Sequence, residues 1–224
     1  MYCETGCFCG EARRSQNTRI TSGTETEVHE YPWMVFVSAQ RRKPSGRRSS
    51  GICGGSLISD SWVITAAHCV VEVNEYGVLQ SVKLELGQHN RNTGAIQVFI
   101  PLSQIFRHPN YYDPQRLSND LALLKLDNPV DFINIPHVRP ICLPSNREET
   151  FTGLRATVAG WGRIHPSGPS SSVLLETNVD VISLTECREL YRQHGYTLSD
   201  DMLCTLSPRD GSVFQGSCKG DSGH

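Results

Sequence analysis

No stretch of about 18 apolar residues occurs anywhere in the 224-residue chain, so no segment is suited to crossing a bilayer as a helix. Residues 1–19 hold no apolar run of the kind a secretory signal needs, and Met1 is therefore not expected to be the true start. Neither sign of charge predominates: 21 Lys and Arg stand against 23 Asp and Glu, for a net charge of −2. That balance gives no global attraction to nucleic acid and no acidic tail. None of the nine cysteines stands in a close Cys-x-x-Cys spacing with histidines, which argues against a zinc site. Repeats and low-complexity tracts are also lacking.

The cysteines are instead spread along the whole chain, as in a disulfide framework made in an oxidising compartment, and a secreted, extracellular protein is expected. The length suits one all-β barrel or sandwich, or two small lobes. Residues 1–19, with Cys3, Cys7 and Cys9 ahead of a polar run, have too few apolar residues for a core and read as a disulfide-tied leader. From Tyr31 onward, short apolar or alternating segments recur between Gly, Pro, Asn and Ser clusters. They are Trp33–Val37, Trp62–Thr65, Lys83–Leu86, Ala95–Ile100, Leu121–Leu126, Thr157–Ala159 and Val173–Ile182, a pattern of strands. One helix is expected, opened by a capping box of Ser183 and Glu186, with Cys187, Leu190 and Tyr191 on one face and Gly195 at its end.

Three local segments carry chemistry. Opening a peptide bond with a serine needs a base for the hydroxyl proton, a carboxylate to hold that base in one tautomer, and donors for the oxyanion. His68 ends the strand-like run Trp62-Val-Ile-Thr-Ala-Ala-His-Cys69, and the adjacent Cys69 can tie it to Cys53. Asp120 lies in Ser118-Asn-Asp-Leu-Ala-Leu-Leu-Lys125, just before an apolar strand, where a carboxylate could be buried and aimed at an imidazole. Ser222 lies in Gly220-Asp-Ser-Gly223, where the glycines let the amides of Gly220 and Ser222 converge on a developing oxyanion. Alone, each has a bland reading as a structural histidine, a turn aspartate or an ordinary turn. Their order, His then Asp then Ser, is one of three known orders for the same geometry.

With these segments the chain resembles the trypsin/chymotrypsin-like serine protease family. The resemblance runs from Cys9 to the last residue and includes Tyr31-Pro-Trp33, Cys53-Gly-Gly-Ser56, Thr65-Ala-Ala-His-Cys69, Asn119-Asp-Leu-Ala-Leu-Leu124, Arg139-Pro-Ile-Cys142 and Gly160-Trp-Gly162. It implies an all-β fold of two antiparallel six-stranded β-barrels of chymotrypsin type, with a leader (1–19) and a peptidase domain (20–224). It implies a serine endopeptidase working through an acyl-enzyme, with His68 as base, Asp120 orienting it and Ser222 as nucleophile. Arg19-Ile20 resembles the family's activation site, although Ile20-Thr-Ser-Gly23 stands where relatives usually read Ile-Val-Gly-Gly. The freed amine of Ile20 would then pair with Asp221, an ion pair better suited to a switch than to stability.

The same resemblance pairs Cys53 with Cys69, Cys187 with Cys204, and a leader cysteine, taken as Cys9, with Cys142. Cys3 and Cys7 are left to pair together, and the usual partner of Cys218 would lie beyond residue 224. The chain ends Gly223-His224 where relatives read Gly-Gly-Pro and continue, so the second barrel is expected to be incomplete and the sequence partial. An inactive truncated form is the alternative. Trypsin-like relatives carry an aspartate six residues before the nucleophile; here that position is Gly216, which favours apolar or small substrate side chains over basic ones. Gln88–Gly94, where many relatives bind calcium, has no acidic side chain, so no metal or other cofactor is expected. His89, His108 and His165 read as surface or turn residues.

Five basic residues fall in Arg41-Arg-Lys-Pro-Ser-Gly-Arg-Arg48, between two strand-like runs. An exposed hairpin loop is expected here. It reads either as a solvated tip or as a seat for an anionic partner, acidic substrate segments or a sulfated polysaccharide. The expected partners are otherwise protein or peptide substrates and an activating protease, with no nucleic acid and no membrane. The rival function is a protease homologue that keeps the fold and binds or regulates without cleaving; such homologues usually lose a triad residue, and His68, Asp120 and Ser222 are all present.

Overall fold

The structure is a computed structural model that describes residues 9–13, 23–111, 118–146, 149–163, 168–192, 198–207 and 222. In chain order the strands are β1 (Thr24–Glu25), β2 (Met34–Arg42), β3 (Arg48–Leu57), β4 (Trp62–Thr65), β5 (Val73–Asn74) and β6 (Gly77–Leu86). They continue with β7 (Ile96–Ile100), β8 (Ile105–Arg107), β9 (Ala122–Lys125), β10 (Arg155–Gly160), β11 (Leu175–Ile182) and β12 (Cys204–Leu206). The one α-helix among the described residues, α1, spans Leu184–Arg192 between β11 and β12.

All pairings among the described residues are antiparallel. The larger sheet runs β5-β6-β2-β3-β4-β9-β8, with β7 added to β6. The smaller sheet runs β1-β11-β10, with β12 also on β11. These curled sheets make the all-β double barrel of chymotrypsin type.

β2 explains how the two halves meet. Its burial is nearly continuous from Met34 to Ala39 instead of alternating, because both of its faces are covered. Val35, Val37 and Ala39 point into the first barrel with Leu57, Val63, Leu84, Leu86 and Leu124. Met34 and Phe36 point the other way, against Tyr31, Leu174 and Trp161 of the second half. Phe36 meets Trp161 edge to face at 5.6 Å, and the indole Nε1 donates to the carbonyl of His89 at 2.9 Å, so the buried Trp161 keeps its one donor satisfied. Gly55 of β3 leaves room for the neighbouring strand: a Cβ there would lie 2.9 Å from the Ile64 carbonyl oxygen.

Two expectations need correction. The 41–48 segment is not one exposed loop, since β2 and β3 stay paired out to Arg42 and Arg48 and only residues 43–47 form the turn. Strand alternation, with a register shift against β6 between Gln40 and Arg41, turns Arg41 inward, where it is 3% exposed. Its guanidinium donates to the carbonyls of Cys69 (3.0 Å), Val71 (2.8 Å) and Gly77 (3.4 Å). His89 is likewise buried and not a surface residue, because β1 covers it: Nε2 lies 3.0 Å from the Glu25 carboxylate and Nδ1 3.4 Å from the Thr26 hydroxyl. On α1 the amide of Glu186 donates to Ser183 Oγ at 3.1 Å, the capping bond read from the sequence. Of its expected apolar face, Cys187 is buried while Leu190 and Tyr191 are exposed. His165 and Gly195 lie outside the described residues.

Candidate active site

His68 sits in a short 3-10 turn, Ala67–Cys69, where β4 ends. The Cys53–Cys69 disulfide fastens that turn to β3. Asp120 arrives from the other side, just ahead of β9, in a tight turn: the Leu121 amide donates to the Asn119 carbonyl at 2.7 Å, with Asn119 at a left-handed φ of 56°. Asparagine is one of the few residues that enters this region at low cost.

The two side chains are in direct contact. Asp120 Oδ2 lies 2.6 Å from His68 Nδ1, while Oδ1 accepts from the His68 backbone amide at 2.8 Å. An ionised carboxylate only accepts, so Nδ1 carries a proton, and in the neutral ring that leaves the lone pair on Nε2. Burial pushes the Asp120 carboxyl up, but bonds from the His68 ring and amide, the charge of His68 and the Ala67 amide outweigh it, and the net direction is down. Asp120 is therefore ionised at neutral pH. The imidazole side chain keeps 37% of its exposure against 20% for the carboxylate, so the pair opens to solvent on the histidine side.

Ser222 is drawn to the same place through its backbone. The Gly54 amide donates to the Ser222 carbonyl at 2.7 Å, and that carbonyl lies 3.9 Å from Cys69 Sγ. Gly54 is itself anchored, since Thr65 Oγ1 donates to its carbonyl at 2.6 Å. The bridge that fixes His68 thus also fixes the strand on which Ser222 docks. Gly54 was not singled out from the sequence as a docking amide; its place beside Cys53 in Cys53-Gly-Gly-Ser56 was the available signal.

The disulfides Cys9–Cys142, Cys53–Cys69 and Cys187–Cys204 are present. Arg19, Ile20, Gly216, Gly220 and Asp221 lie outside the described residues, as do Cys3, Cys7 and Cys218. Cys53, His68 and Cys69 lie close enough together to resemble a metal-ligand cluster, but both sulfurs are spent in the disulfide, which leaves no thiolate to bind one. No described helix is long and apolar enough to cross a membrane.

Comparison with known proteins agrees with this geometry. The family model described as Trypsin matches residues 20–224. Phenoloxidase-activating factor 3 of Holotrichia diomphalia is 38% identical over 216 residues, covering 92% of this chain and 58% of that protein. Granzyme M of Homo sapiens is 34% identical over 209 residues, covering 93% of this chain and 73% of that protein. Serine proteinase stubble of Drosophila melanogaster is 34% identical over 213 residues, covering 92% of this chain and 25% of that protein. The chain therefore spans little more than half of the first of these relatives. With its double barrel, its His-Asp pair and these matches together, the chain belongs to the trypsin family of serine proteases.

Proposed function

We infer that the protein is a secreted serine endopeptidase made as a zymogen, with residues 1–19 as leader and 20–224 within the peptidase domain. The observation that carries this reading is the Asp120–His68 pair at 2.6 Å with the Ser222 backbone docked on Gly54 beside it. Asp120 holds Nδ1 protonated, so Nε2 takes the Ser222 hydroxyl proton as Oγ attacks the scissile carbonyl. The amides of Gly220 and Ser222 receive the oxyanion, and His68 then returns the proton to the leaving amine. Water repeats the sequence to release the acyl group from Ser222. Cleavage after Arg19 by a trypsin-type protease frees Ile20 to pair with Asp221, and Gly216 leaves the pocket base uncharged, which suits apolar or small side chains. The name of the phenoloxidase-activating relatives fits an enzyme that cuts a protein substrate within an activation cascade.

The test is made on the full-length protein. After limited trypsin treatment, with N-terminal sequencing to establish that Ile20 is free, a fluorophosphonate probe is expected to label the parent and not Ser222→Ala. His68→Ala is expected to lower turnover by about three orders of magnitude or more. Labelling that survives in Ser222→Ala would remove Ser222 as nucleophile. A parent that stays unlabelled with Ile20 free would instead favour the non-cleaving homologue.

A further inference from the structure

At the far end of the β2–β3 hairpin a cavity of about 250 Å³ is lined by Gln40, Arg41, Arg42, Arg48, Gln80 and Ser81. Its construction is electrostatically unfavourable. Arg42 and Arg48 stand directly opposite each other in the strand register, and like charges in that position repel. Arg41, between Gln40 and Arg42, points the other way, into the barrel, where its guanidinium donates to backbone carbonyls and supplies no counter-charge. Among the described residues no carboxylate pairs with Arg41, Arg42 or Arg48, and Glu72 and Glu75 on the adjoining β5 turn form no ion pair with them. The arrangement is also enforced. Gly77, at φ 113°, lets the β5–β6 turn press against the hairpin, where a Cβ would lie 2.3 Å from the Arg42 carbonyl oxygen. Two exposed arginines, Arg42 and Arg48, are thus held together at one cavity with no counter-charge among the described residues.

The neutral groups narrow the ligand. The Gln40 amide nitrogen donates to Ser50 Oγ at 3.3 Å, and that of Gln80 to the carbonyls of Val78 (3.3 Å) and Leu79 (3.2 Å). These bonds orient the two amides by their nitrogens and leave both amide oxygens to accept from a ligand's hydroxyl groups. Guanidinium forks match the oxygens of a sulfate ester. A bare inorganic anion would leave those acceptors unused. We propose that this cavity is a binding site for a sulfated sugar unit, with Arg42 and Arg48 gripping the sulfate and Gln40, Gln80 and Ser81 meeting the sugar hydroxyls.

Binding does not depend on the proteolytic reading and is measured on the full-length Ser222→Ala protein. A heparin-derived tetrasaccharide titrated calorimetrically at low and at physiological salt is expected to bind, and Arg42→Ser/Arg48→Ser is expected to weaken it at least tenfold. Lys43→Ser/Arg47→Ser removes equal charge from the turn outside the cavity and should weaken it by less than threefold. The unliganded Arg42→Ser/Arg48→Ser protein should melt no lower than the parent, since a repulsive pair has been removed. Equal losses in the two double variants would reduce the effect to general surface charge and overturn the site. Binding of inorganic sulfate alone as tight as that of the tetrasaccharide, or of a glutamate peptide of equal charge, would overturn the sugar assignment.

Discussion

Arg41 has the side chain of a surface residue and the position of a core residue. A guanidinium at 3% exposure with no carboxylate partner among the described residues is costly to bury, and burial lowers its pKa from the ordinary arginine value. The cost is offset by bonds to three carbonyls, two of them, Cys69 and Val71, in the chain that leaves His68. Arg41 therefore fixes the exit of the histidine turn from below, as the Cys53–Cys69 disulfide fixes it from the side. Arg41→Met keeps much of the volume and removes every donor; it is expected to destabilise the protein by about 2–3 kcal/mol, read as a lowered denaturant midpoint. A midpoint unchanged from the parent would mean the carbonyls find other donors. From the sequence this residue belonged with its basic neighbours, because strand alternation was not extended past Val37. His89 misled in the same way: its burial is supplied by Glu25 and Thr26, more than sixty residues earlier, and no local pattern records that.

Elements of the second half hold the Asp120 turn of the first. The Asn119 amide donates to Asp201 Oδ2 at 2.7 Å, and the Asn119 side-chain amide donates to the Asn110 carbonyl at 3.3 Å. Asp201 lies in the segment before β12, which α1 pins down: Arg188 donates to the Leu198 carbonyl at 3.1 Å and pairs with Asp200 at 2.6 Å, while Cys187 is bonded to Cys204. The exposed Arg188–Asp200 pair is worth little to stability by itself, but with the disulfide it restricts where Asp201 can stand. Asp201 is thus a positioning residue for Asp120. On the proposed catalytic reading, Asp201→Ala should lower kcat about ten- to a hundredfold with KM unchanged, while Asp201→Asn, whose amide oxygen can accept from the same N–H, restores most of it. Loss of kcat in both variants, or a matching rise in KM, would assign Asp201 to general folding. The strands were largely legible: Trp62–Thr65 coincides with β4, and the runs at 95–100, 157–159 and 173–182 fall on β7, β10 and β11. β8 and the two-residue β1 and β5 are too short to carry a period, and the Asp201–Asn119 bond joins a side chain to a backbone 82 residues away, which leaves no trace in either segment.

Across the whole molecule, residues 9–13, in the segment proposed as the leader, lie on the first half as a strap. Cys9 is bonded to Cys142 across a sequence separation of 133, and the Gly10 amide donates to the Pro140 carbonyl at 3.0 Å. Further along, the Arg13 amide donates to the Glu30 carbonyl at 2.8 Å and its guanidinium to the Pro136 carbonyl. Cysteine counting could not have chosen this pairing, because nine cysteines allow many connectivities; the family resemblance supplied it. Three polar contacts on an exposed surface contribute only a few kcal/mol at best, too little to retain a severed peptide in dilute solution. The disulfide is what would keep it. If the chain is cut after Arg19, the leader should therefore migrate with the peptidase domain on a non-reducing gel and separate from it under reduction. Cys142→Ser should release it without reductant, and Arg13→Ala, which removes only the guanidinium contact, should not. Release from the parent under non-reducing conditions would mean that Cys9 and Cys142 are not bonded in the protein. Retention by Cys142→Ser would mean that the polar strap, and not the bridge, carries the attachment.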